Sequence, residues 1–154
     1  MLNLYDLQQD EDGRAKLVKL RTKKRNSVKC VQISNPKILY DVCCQELGMD
    51  RLTEEVFYMF AVNAAHMVIG ACMVSKGTAQ LTLVGVREIF VRALLLGANY
   101  IFLAHNHPSG VTSPSAHDIS VTETLRKAGE LLTVQMVDHI IVSKQGYYSF
   151  KEST

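Results

Sequence analysis

The chain has 154 residues, 47% of them hydrophobic and 21% charged, and its 17 Lys and Arg against 15 Asp and Glu leave a net charge of +2. That balance describes one soluble globular domain with an extensive core, and the net charge is too small to mark a nucleic-acid binder, although its distribution is uneven. No apolar run approaches the roughly 18 residues of a membrane span, and the start MLNLYDLQQDEDGR is not a signal peptide, so a cytoplasmic protein with no membrane partner is expected. The four cysteines, Cys30, Cys43, Cys44 and Cys72, have no C-x-x-C spacing. They read as small buried hydrophobes in a reducing compartment.

The first fifteen or so residues are polar and show no clear period. Lys16-Leu17-Val18-Lys19 then alternates loosely like an edge strand, before a cationic run completes the stretch 16–25 with Arg21, Lys23, Lys24 and Arg25. Lysine on an edge strand guards against intermolecular pairing; the functional alternative is a weak, salt-sensitive nucleic-acid contact through Lys16, Lys19 and the cations up to Arg25. A short strand is expected over residues 30–34, followed by a helix capped by Asn35 with Pro36 at its first position, a stripe of Ile38, Leu39, Val42 and Cys43, and a stop at Gly48. Residues 56–62 and 67–74 read as two strands of a hairpin turning at residues 63–66, and 81–84 as a third. Residues 87–96 form a helix with Ile89, Phe90, Ala93, Leu94 and Leu96 inward and Gly97 beyond its end. Strands over 134–142 and 147–150 close the chain. Elements do not alternate as in a Rossmann fold.

The informative stretch is 100–118. Tyr100-Ile101-Phe102-Leu103-Ala104 is apolar and of strand length, so His105 and His107 stand at a strand end, and residues two apart point the same way. Pro108, Gly110 and Pro114 mark a stiffened loop. A helix begins near Ser115, with Ile119, Val121, Leu125, Ala128 and Leu132 at helical spacing, and Asp118 is then a first-turn residue able to point back at the two imidazoles. Two His and an Asp are three ligands that zinc accepts, leaving a fourth position for water as catalytic sites do. Ser115-x-x-Asp118 is equally a variant of the capping box; the two roles are compatible, because a cap holds Asp118 still. His105-Asn106-His107 spells HNH, but the nuclease of that name spreads those residues over a larger unit. A zinc hydrolase also needs a base, for which Glu54, Glu55 and Glu88 are candidates. His117 lies between Ser115 and Asp118, on a different side of the helix, and Asp138 and His139 point to opposite faces of their strand, either being a candidate partner behind the ligands.

His105, His107, Ser115 and Asp118 resemble the JAMM metalloprotease signature of the JAB/MPN superfamily, and HNHPSG with PS-x-x-D is similar to its RadC-like branch. Gly77-Thr78, Arg87-Glu88-Ile89-Phe90, Asp138-His139-Ile140-Ile141 and Tyr148-Ser149-Phe150 stand where that branch has its recurrent words, while Val86 replaces the usual proline and Gly85 a frequent histidine. The resemblance covers 28–154 as a RadC-like JAB/MPN metal-binding domain. It leaves 1–27 as an N-terminal segment with the basic run, too short for the helix-hairpin-helix domain of longer RadC proteins. The resemblance implies an α+β fold, a mixed curved sheet with packed helices in the JAB/MPN, cytidine-deaminase-like architecture. It also implies Zn2+ on His105, His107 and Asp118, a zinc-bound water as nucleophile, Glu55 as general base (two before Phe57) and Ser115 as its helper. The expected activity is a metallopeptidase or isopeptidase acting on a peptide or protein substrate. The alternative the family name suggests is a non-hydrolytic accessory protein in DNA repair or mobile-element biology.

Overall fold

The apolar runs read as buried strands lie at the middle of one sheet. The computed structural model describes residues 2–20, 31–77 and 84–153. Among these, strands β1 (Leu4–Gln9), β2 (Ala15–Lys19), β3 (Glu55–Val62), β4 (Val68–Gly77), β5 (Tyr100–Asn106), β6 (Gln135–Ser143) and β7 (Gly146–Ser149) are interspersed with helices α1 (Pro36–Gln45), α2 (Val86–Leu95) and α3 (Ala116–Leu132). The strand order is β2-β1-β4-β3-β5-β6-β7. β3 pairs antiparallel with β4 and β5, whereas β5 runs parallel to β6. The sheet is therefore mixed, as expected of the α+β class.

Strands covered on both faces need apolar residues at every position, which is why the central ones carry near-continuous hydrophobic runs. Val56, Phe60, Val62, Phe102 and Ala104 pack with Leu39, Val42 and Cys43 of α1. Their odd-numbered neighbours Phe57, Met59, Ala61, Ile101 and Leu103 meet Ile89, Phe90 and Ala93 of α2 and Leu125 of α3. The period of two thus puts α1 on one face and α2 with α3 on the other. It also sends His105, next in the odd series of β5, toward α3.

Local chemistry sets the helix ends. The Asn35 side chain accepts from the Ile38 amide at 3.0 Å, with Pro36 opening α1. α2 starts at Gly85 with no side-chain cap. It ends with Gly97 at φ 68°, the Gly97 amide donating to Leu94 O and the Ala98 amide to Ala93 O, the two bonds of a Schellman motif.

Four expectations need correction. Of the strand expected over 30–34, the described residues 31–34 make only an isolated bridge, Gln32 with Met67, because the cap at Asn35 follows at once; Cys30 lies outside the described residues. The opening segment, read as having no period, forms β1, which pairs with β4 in parallel and with β2 through a turn where Asp10 accepts from the Asp12 and Arg14 amides. A hairpin at the sheet's edge is open to solvent and needs no strict apolar alternation. Leu94 is 53% exposed, while Arg92 is buried in its stead, its guanidinium donating to Glu88 O at 2.7 Å. Ile119 and Leu132 are exposed, and the buried stripe of α3 is Asp118, Thr122, Leu125 and Gly129. The strand expected over 81–84 falls on 81–83, outside the described residues.

One side chain joins the two strands that serve the site. Buried Asn106 accepts from the Val56 amide through Oδ1 at 2.7 Å and donates through Nδ2 to Glu54 O at 3.0 Å, bracketing Glu55 with two bonds. Asn106→Ala leaves both main-chain groups without that partner and is expected to destabilise the fold by about 1–3 kcal/mol, seen as a lower urea midpoint. An unchanged midpoint would show that the bracket contributes nothing.

Candidate metal centre

β5 brings the two histidines together by different means. His105 is in the strand and fully buried. His107 follows its end, but its amide still donates to Val142 O at 2.9 Å, so the ladder with β6 carries on for another residue. The chain then turns over Pro108-Ser109-Gly110, with Gly110 at φ 85° and its amide donating to His107 O. This return puts the Val111 carbonyl 2.7 Å from His107 Nδ1. A carbonyl only accepts, so Nδ1 carries the proton and Nε2 is the nitrogen turned to the site.

Asp118 comes from the first turn of α3. Its amide donates to Ser115 Oγ at 3.1 Å, and its Oδ2 accepts from both the Ser115 amide and the Ser115 hydroxyl at 2.7 Å. This is a capping box with Asp in the role of Glu, so the capping reading and the orienting reading hold together. Oδ1 is buried and has no hydrogen-bond donor.

Three acceptor atoms now converge. His105 Nε2 is 3.0 Å from His107 Nε2 and 3.3 Å from Asp118 Oδ1, and His107 Nε2 is 3.6 Å from Asp118 Oδ2. The three ligand atoms lie within 4.8 Å of one another. A donorless carboxylate oxygen beside one imidazole nitrogen, with a second imidazole nitrogen against the same carboxylate, is a donor set that could hold a metal ion. Burial alone would raise the Asp118 pKa, but the neighbouring His105 and His107 rings and the hydrogen bond from the Ser115 amide outweigh it and keep the carboxyl well below the usual carboxylate range. Burial lowers the His105 pKa against the pull of Asp118, whereas the hydrogen bond with Asp118 raises that of His107.

The other candidates separate clearly. Phe57 pairs with His105 across β3 and β5, and continuing that antiparallel register by two residues brings half-buried Glu55 level with His107. Its negative charge is felt by both histidines. Glu54 instead pairs with Lys76 at 3.1 Å, in solvent, and Glu88 pairs with Arg87 and Arg92 along its own helix. Among the described residues, His117 is not one of the converging set, and His66 is a turn residue at φ 58° stacked on Tyr100. Of the cationic stretch, Lys16 and Lys19 are exposed on β2, and 21–25 lie outside the described residues. Cys43 and Cys72 are buried and free. A cleft of about 570 Å³, lined among others by Arg51, Thr53, His107, Lys144 and Gln145, opens the His107 side to solvent.

Asn106, Thr122 and His139 complete the surroundings. The Thr122 hydroxyl lies 2.6 Å from Asp118 O and 2.7 Å from His139 Nδ1, and His139 Nε2 lies 2.8 Å from His105 Nδ1. Asn106 was legible only as part of a misleading triplet, and Thr122 carried no signal. His139 could be found as a candidate because it and Asp138 are adjacent titratable residues on opposite faces of a predicted strand.

Residues 33–154 match the family model described as the RadC-like JAB domain. The chain is 37% identical over 128 residues to a UPF0758 protein of Finegoldia magna, covering 83% of this chain and 56% of that protein. It is 40% identical over 109 residues to a UPF0758 protein of Thermotoga maritima, covering 71% of this chain and 48% of that one. The chain spans about half the length of the curated relatives it matches. By the extent of the family match and by these relatives, the chain belongs to the RadC-like JAB domain family.

Proposed function

We propose that the protein is a zinc-dependent hydrolase of peptide or isopeptide bonds, with the metal held by His105, His107 and Asp118. The observation that carries this reading is the buried Asp118 Oδ1, which has no hydrogen-bond donor and faces His105 Nε2, with His107 Nε2 beside the same carboxylate. Two nitrogens and one carboxylate oxygen suit zinc, and three protein ligands leave a position open, as in catalytic sites. When bound, such a metal supplies Lewis acidity and lowers the pKa of a coordinated water.

The chain's own groups would do the rest. Glu55, at the level of His107 and bracketed by Asn106, takes the proton of the attacking water and returns it to the amine nitrogen as the C–N bond breaks. Ser115 holds Asp118 through Oδ2, and its hydroxyl is the group proposed to turn toward the developing oxyanion. The cleft beside His107 has room for an extended segment of substrate.

Three outcomes test this. About one zinc per chain is expected by elemental analysis, lost in His107→Ala and Asp118→Ala; full occupancy in both variants would remove the basis of the reading. Glu55→Gln should keep the metal and lose ~10²-fold to 10⁴-fold in hydrolysis of a peptide or isopeptide substrate, with Glu54→Gln nearly silent, so a Glu55→Gln protein of undiminished rate would overturn the assignment of the base. The pH dependence has a definite sign. Ligation needs the neutral imidazole, and the raised His107 pKa lets protons compete at a higher pH than at an ordinary histidine. Zinc affinity should be full above that pKa and fall as pH drops through it; a competition titration in which affinity rose on acidification would contradict this.

A further inference from the structure

We propose that His139, which lies behind the ligand set, is the positioning residue that fixes the ring proton of His105 on Nδ1, and that Thr122 in turn fixes the ring proton of His139. The inference rests on the metal reading above only for its consequence, since the hydrogen-bond chain itself needs no metal.

The chain can be assigned from one end because it starts at a group that cannot donate. The carbonyl of Asp118 only accepts, so the Thr122 hydroxyl, 2.6 Å away, gives its proton there. Thr122 Oγ then has only lone pairs left for His139 Nδ1 at 2.7 Å, and that nitrogen must carry hydrogen. His139 is fully buried, and its ring is neutral when Nε2 bears a lone pair. This lone pair accepts from His105 Nδ1 at 2.8 Å. His105 is left with its lone pair on Nε2, 3.3 Å from Asp118 Oδ1. An isolated neutral histidine in water favours the opposite tautomer, so the protein has to impose this one. The chain thus leaves the Asp118 main chain, passes through two side chains and returns to the Asp118 carboxylate, so every hydrogen on the way has one available direction.

The rings are also held against rotation. Phe150 stacks on His139 at 4.9 Å and 11°, and Phe57 lies 5.3 Å away on a tilt. Phe150 is held by the hydrogen bond that its amide donates to His139 O at 3.0 Å, between Ser149 and Lys151, whose hydroxyl and amide respectively donate to Asp138. Phe57 stacks on His105 as well, 4° from parallel. A flip of the His139 ring would point carbon where both hydrogen bonds need nitrogen. Groups that orient a metal-binding imidazole through its second nitrogen typically affect metal affinity 10–100-fold.

The test uses the full metal-free chain, nitrogen-15 NMR of the histidine rings at a pH where His105 and His139 are neutral, and zinc affinity by competition with a chromophoric chelator. The expected wild-type pattern is hydrogen on Nδ1 of both His105 and His139. His139→Phe keeps ring volume and both stacking faces and should weaken zinc binding by about 10–100-fold, while releasing His105 to populate the Nε2–H form. Thr122→Val is the gentler variant should His139→Phe not fold. It keeps the shape, removes the hydroxyl, and should spread His139 over both tautomers with a loss of about tenfold in affinity. Hydrogen on His105 Nε2 in the wild type, or wild-type affinity and tautomers in Thr122→Val, would overturn the proposal. If the wild-type chain binds no zinc, the functional reading fails by itself, and the ring-proton pattern still decides this one.

Discussion

An ionised carboxylate buried to 1% exposure at the start of a helix is the constraint on which the rest depends. A charge taken out of water costs several kcal/mol unless it is paired and hydrogen-bonded. For Asp118 the compensation within the chain comes from the Ser115 amide and hydroxyl on Oδ2 and from the positive end of α3. One oxygen is still left over, and its lack of a donor distinguishes this carboxylate, which could accept a cation, from one in an ordinary buried ion pair. The capping box is therefore not a competitor of the metal reading. It holds one oxygen so that the other stays available.

The sheet order makes this arrangement rigid. β5 lies between β3 and β6, and each of these three adjacent strands supplies one part: Glu55 at the start of β3, the histidines at the end of β5, and His139 inside β6. These strands are covered on both faces and have little freedom to shift, and side chains set on such elements hold their geometry better than side chains on loops. The loop after His107 is an exception in location only, because its return through Gly110 is what supplies the Val111 carbonyl for the His107 ring.

Where the controlling interaction was local, the sequence could be read. The cap of α1, the Schellman end of α2, the pairing of His105 with His107, and Ser115 with Asp118 all depend on residues no more than four or five apart. The central strands announced themselves by their apolar runs. What could not be read depends on partners distant in the chain. β1 has no period of its own and is a strand because β4 and β2 lie on either side. The inward face of α3 carries Asp118 and Thr122, where a hydrophobic count favours Ile119 and Leu132, because the surface that α3 covers is itself polar at that point. Thr122 is an ordinary helical threonine until His139, seventeen positions later, is placed against it.

The triplet at the end of β5 also has a consequence for how this protein can change in length. Its three side chains are distributed by parity: odd positions look toward α3 and the carboxylate, and the even one faces away, free to hold β3. Adding or removing one residue upstream within β5 would exchange those roles, turning both imidazoles toward the apolar layer under α1 and an amide toward Asp118. The segment between Gly110 and Ser115 has no such arithmetic, since a longer loop there costs only closure entropy that grows slowly with length. Insertions should therefore be tolerated beside the site on one side of His107 and not on the other, with the boundary falling within a few residues of a single histidine.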